Sequence, residues 1–98
     1  MKHQKQRMIH GEDVLRTAAD TIEQRRVEYG HSTENFEVIA QRWTLVLGTP
    51  VTPAQVALCL IDLKMARLRK DHTHQDSIID LAGYAACLWE VTQTPASE

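Results

Sequence analysis

Charged residues interrupt the two most apolar stretches of this chain, and four of them fall in two pairs. Lys64 and Arg67 lie three apart, and Asp76 and Asp80 lie four apart. At helical spacing each pair shares one face. Gly83, Tyr84 and Cys87 continue the aspartate stripe. Two readings of the cluster stand side by side. One is an internal ion network that fixes helix register, because unpaired buried charge is costly. The other is a pocket. There Lys64 and Arg67 meet phosphate oxygens, and Asp76 and Asp80 meet Mg²⁺, a ribose or a base edge. Gly83, lacking a Cβ, lets a ligand or backbone come close, and a glycine inside a helix costs about 1 kcal/mol relative to alanine. A second stretch, "YGHSTENF" at residues 29–36, brings Tyr29, His31 and Asn35 together. Asn35 is suited to read a base edge, and Tyr29 or His31 to stack or donate a hydrogen bond. Glu34 and Glu37 form an E-x-x-E pair, a spacing usable for a metal tied to phosphates but also ordinary in the first turns of a helix. His72 and His74 lack partners at zinc spacing and read as solvated.

These residues need helices to place them. Apolar residues recur at helical spacing, with no reliable strand-like alternation, so the fold class is all-α. Four helices are expected, near residues 12–29, 33–47, 53–69 and 75–91. Gly30 and Gly48 suit helix ends. Ser32 is the expected N-cap of the second helix. Thr52, Pro53 and Gln55 make a capping box for the third, and Thr73 with Asp76 one for the fourth. The short "DHTH" link makes the last two helices an antiparallel hairpin. In that register Lys64 stands level with Asp80, Leu60 with Tyr84, and Arg67 near Asp76 and Ser77.

The chain has 98 residues, 43% hydrophobic and 24% charged, with a net charge of −2. One domain is expected over residues 11–92, with a polar tail at 1–10 and a disordered one at 93–98. The charge implies no general nucleic-acid or membrane surface, and no apolar run approaches the ~20 residues of a membrane span. The basic start lacks the apolar core of a signal peptide, so a cytoplasmic protein is expected. Cys59 and Cys87 lie in apolar segments and read as free, buried thiols. The third and fourth helices are apolar on nearly every side, more than two covering helices can hide. A homo-oligomer joined through those helices is the expected resolution.

From Val14 to Val91 the chain resembles a family of small phage and prophage proteins of uncharacterised function. The resemblance rests on "YGHSTENFEVIAQRW", "VTPAQVALCLIDLKMARL" and "DSIIDLAGYAA" in that order. More distantly, the "YG…NF", "K-x-x-R" and "D-x-x-x-D…Y" elements are similar to MazG-like and nucleotide-modification-associated helical domains. That likeness implies an oligomeric bundle of two helical hairpins. It also implies a Mg²⁺-dependent nucleoside triphosphate pyrophosphohydrolase, with Glu34, Glu37, Asp76 and Asp80 as metal ligands and Glu37 and Asp80 at the catalytic centre. Asp76 stands four residues before Asp80 where the pattern has three. Three functions follow as expectations. One is this hydrolase, acting in the host cytoplasm if phage-encoded. Another is a non-catalytic binder that sequesters a nucleotide immune signal through Lys64, Arg67 and Tyr84, walled by Tyr29, His31 and Asn35. The third is a structural or partner-binding helical module.

Overall fold

The structure is a computed structural model and describes Met8 and residues 10–93. It contains four helices and, among the described residues, no strand. They are α1 (Gly11–Tyr29), α2 (Ser32–Leu47), α3 (Pro53–Lys70) and α4 (Gln75–Gln93). The expected tails at 1–10 and 93–98 fall outside the described residues, apart from Met8, His10 and Gln93.

Local chemistry sets the helix ends. Gly30 (φ 86°) and Gly48 (φ 75°) take backbone conformations that side chains disfavour. Their N–H groups close α1 and α2 onto the carbonyls of Arg26 and Thr44. The capping box of α3 is present as expected: the Gln55 N–H donates to Thr52 Oγ1 at 3.1 Å, and Thr52 N–H donates to Gln55 Oε1 at 3.0 Å. Two expected caps are displaced by one residue. His31, not Ser32, caps α2, its Nδ1 accepting from Thr33 N–H at 3.1 Å. His74, not Thr73, receives the Ser77 N–H at 3.2 Å at the start of α4. Ser32 and Thr73 have other partners. The Ser32 hydroxyl donates to Glu90, and the Thr73 hydroxyl donates to Asp71 at 2.6 Å. A neutral imidazole carries the acceptor that a cap needs, so histidine fills the position once serine and threonine are engaged elsewhere.

The helices do not form two equivalent hairpins. α3 and α4 pack along each other as expected, and α4 also meets α1 and α2. α1 and α2 scarcely touch beyond their two-residue link; α1 leans on α4, and α2 on α3 and α4. The first hairpin is therefore splayed over the second. The core is small, built from Phe36, Ala40, Val56 and Ala57, with Ile39, Trp43, Leu60 and Tyr84 packed against it.

This arrangement corrects three expectations. α3 is not buried all round: only Val56 and Ala57 are fully enclosed, while Leu58, Leu63 and Met65 are about half exposed. Cys59 is exposed, and Cys87 is half-buried. The apolar surface left open is spread over α1, α2 and α3, with Val27 at the end of α1 86% exposed and Leu45, Val46 and Leu47 at the end of α2 71%, 80% and 64% exposed. It does not lie on α4, which every other helix partly covers and whose large exposed apolar residue is Trp89.

Candidate functional site

The splay between α1 and α2 leaves a cavity of about 290 Å³ over the middle of α4. α1 lines it with Ala18, Ile22, Arg25, Arg26 and Tyr29. The link and first turn of α2 add Gly30, Ser32, Asn35 and Phe36, and α4 adds Ile79, Asp80, Gly83, Tyr84 and Cys87. Tyr29, Asn35, Asp80 and Tyr84, singled out from the sequence, thus share one cavity although they come from three helices.

Lys64 stands beside Asp80, its Nζ 2.9 Å from Oδ2, with the two side chains only 12% and 26% exposed. The level pairing read from the hairpin is present. Its partners Arg67 and Asp76 do not join it: both are exposed, and Arg67 faces a separate groove near His74. The hairpin is open to water at its turn end, where an exposed pair contributes at most about 1 kcal/mol, so nothing forces those two charges together. Lys64 lies behind Asp80 and is not part of the cavity wall.

Gly83 is helical, and a Cβ built on it would meet nothing within 4 Å. No neighbouring backbone requires its bareness. Its missing side chain instead enlarges the cavity.

The acidic residues do not converge. Glu34, Glu37 and Asp76 are exposed and absent from the cavity wall. No group of three or more His, Cys, Asp or Glu side chains among the described residues is placed to hold a metal ion. Successive helical residues are rotated by about 100°, so turning Asn35 and Phe36 toward α4 swings Glu34 and Glu37 away. Asp80, the acid that does face the cavity, is already engaged by Lys64. This donor set does not fit the Mg²⁺ centre expected on Glu34, Glu37, Asp76 and Asp80. His31 is likewise not in the wall; it caps α2, with Nε2 4.0 Å from Glu90.

Sequence reasoning missed Glu90. Its carboxylate accepts from Arg26 and from the Ser32 hydroxyl, fastening the end of α1 and the start of α2 to α4. A carboxylate at that position also complements the positive end of α2. The available signal was a single charge in the apolar run "LAGYAACLWEV". Burial, and then the Glu90 carboxylate, push the Cys87 thiol above its usual pKa; a hydrogen bond with Ser32 and the guanidinium groups of Arg26 and Arg25 oppose this. Arg25 and Arg26 line the same cavity as Cys87. Another titratable group among the described residues that is moved from its ordinary value lies outside the cavity. Hydrogen bonds from the hydroxyl and N–H of Thr73 hold the exposed Asp71 carboxyl lower.

Chemically, the cavity offers three aromatic rings, a side-chain amide and two guanidinium groups around a mostly apolar floor. These are the parts for a small, flat molecule with an anionic group.

Comparisons with known proteins follow the same span. A domain of unknown function, DUF6378, matches residues 13–92. The chain is 42% identical over 87 residues to the Gene 55 protein of Mycobacterium phage L5, covering 87% of this chain and 55% of that protein. It is 36% identical over 90 residues to the Gene 55 protein of Mycobacterium phage D29, covering 92% and 52%. The chain therefore spans about half the length of these curated relatives. No solved structure matches.

Proposed function

Because the chain belongs to the DUF6378 family of phage proteins, we propose that it binds a nucleotide or nucleotide-derived small molecule in the cavity between α1, α2 and α4, without hydrolysing it. Gly83 carries this reading. A glycine inside a helix costs about 1 kcal/mol relative to alanine, and here no close backbone approach explains it. A ligand seated against α4 does. Tyr84 and Tyr29 supply faces for a base, and Asn35 offers both a donor and an acceptor to its edge. Binding is favoured over pyrophosphohydrolysis because the carboxylates that hydrolysis requires point elsewhere, and the cavity's own acid is neutralised by Lys64.

The binder would serve a phage by sequestering a nucleotide signal in the host cytoplasm. No helix among the described residues is long and apolar enough to cross a membrane. A homo-oligomer remains part of the proposal. Its support is the run of exposed apolar side chains Leu45, Val46 and Leu47 at the end of α2, which a second copy would cover. Sedimentation of wild type beside Val46→Glu tests it: a wild-type monomer across the micromolar range overturns the oligomer.

Calorimetry against a panel of linear and cyclic nucleotides and ADP-ribose derivatives tests the binding site. At least one ligand should bind, be recovered unchanged, and lose affinity about tenfold or more on Asn35→Ala and on Gly83→Leu. A ligand that binds equally well to both variants, or a panel without any binder, would overturn the proposal. Turnover of a bound triphosphate that disappears in Asp80→Ala would restore the hydrolase.

A further inference from the structure

The charges around the cavity are unequal in their commitments. Asp80 is paired with Lys64 at 2.9 Å, so its carboxylate does not stand as an open negative charge against a ligand. Arg26 is paired with Glu90, which also receives the Ser32 hydroxyl at the N-terminal turn of α2. The positive end of α2 is thus already served by a protein carboxylate. Arg25 remains. It lines the cavity, acts on Cys87 inside it, and forms no ion pair with any described residue. Its place near the C-terminal end of α1 stabilises its charge there but leaves its five N–H donors free. The cavity therefore carries one uncommitted positive charge beside two neutralised pairs. At about 290 Å³ it also lies at the bottom of the roughly 300–1,000 Å³ range of small-molecule sites.

We infer that this cavity selects a nucleotide bearing a single phosphate group, held by Arg25, and discriminates against di- and triphosphates. The inference rests on the nucleotide-binding reading above and narrows its ligand class. One ring system and one phosphate match both the volume and the charge. Each further phosphate adds negative charge that no second unpaired cation lining the cavity is there to meet. Arg suits the task because its planar fork can donate two parallel hydrogen bonds to one phosphate. The single-phosphate group can be a monoester or a cyclic diester; both present at least two non-bridging oxygens to the Arg25 fork, and the test separates them.

The test is calorimetric titration at fixed ionic strength with one base throughout, as the nucleoside, 5′-monophosphate, 3′,5′-cyclic monophosphate, diphosphate and triphosphate. One of the two single-phosphate forms should bind at least about tenfold more tightly than both the nucleoside and the triphosphate. Arg25→Gln should cut that affinity by about tenfold or more, the scale of a hydrogen bond to a charged group. The same change should leave the nucleoside's affinity as it was. Because Arg25 is exposed, the variant is expected to fold, and circular dichroism checks this. A triphosphate that binds as tightly as the monophosphate, or an Arg25→Gln effect equal for nucleoside and monophosphate, overturns the inference. If that triphosphate binding is nevertheless abolished by Gly83→Leu, the cavity reading survives and only the charge selection falls. If no member of the series binds, both fall.

Discussion

Replacing Gly83 with alanine should make the protein more stable and a poorer binder at once. The stability gain follows from the helix: a glycine lies about 1 kcal/mol above alanine in a helix interior. The added methyl meets nothing within 4 Å, so no clash offsets that gain. For a domain of 60–100 residues, 1 kcal/mol moves the melting temperature by about 4–8 °C. The binding loss follows from the wall. The methyl enters a cavity of about 290 Å³ at the floor on which the ligand would rest, so a severalfold loss is expected, deepening to abolition with leucine. Thermal unfolding followed by circular dichroism, at several protein concentrations so that self-association is held apart from intrinsic stability, gives the first quantity. Titration of whichever nucleotide binds gives the second. An unchanged or lowered melting temperature would mean that Gly83 already serves the folded chain and does not point to a ligand. A stabilised Gly83→Ala protein with unaltered affinity would place the ligand elsewhere.

Three other outcomes are expected. Lys64→Met should destabilise by ~2 kcal/mol, less than the ~3–5 kcal/mol of a fully enclosed broken pair because Asp80 is 26% exposed; the double variant with Asp80→Leu should recover most of the loss in chemical denaturation. Cys59, exposed, should react with a thiol reagent at pH 8 well before Cys87, whose burial holds it as the neutral thiol. The Cys87 rate should climb as pH rises toward its elevated pKa and fall when a cavity ligand is added, which mass spectrometry of the labelled peptides would record. Asp71 is stabilised as the anion by Thr73, so its folded pKa lies below its unfolded one. Its contribution is complete above the ordinary carboxyl value and is lost as pH falls through the lowered one; carbon-detected NMR titration should show Thr73→Val moving the Asp71 midpoint upward.

Much of the architecture is readable from local chemistry. Gly30, Gly48 and the Thr52–Pro53–Gln55 capping box mark helix ends because backbone conformation and orphan N–H groups are decided within a few residues. The Lys64–Asp80 pair is equally legible: a short link constrains two antiparallel helices, so distance from the turn gives the register. What lay beyond the sequence was the rotation of each helix about its own axis relative to neighbours far along the chain. That rotation turned Asn35 inward and Glu34 and Glu37 outward, and with them dissolved the expected metal site. It also set Glu90 against Arg26 and Ser32, residues some 60 positions away, freeing the cap of α2 for His31. Spacing within one helix says which residues share a face; it does not say which face meets another helix. That choice is made by the summed burial of all four helices, and it decided that Arg25, rather than Lys64 or Arg67, is the unpaired cation lining the cavity.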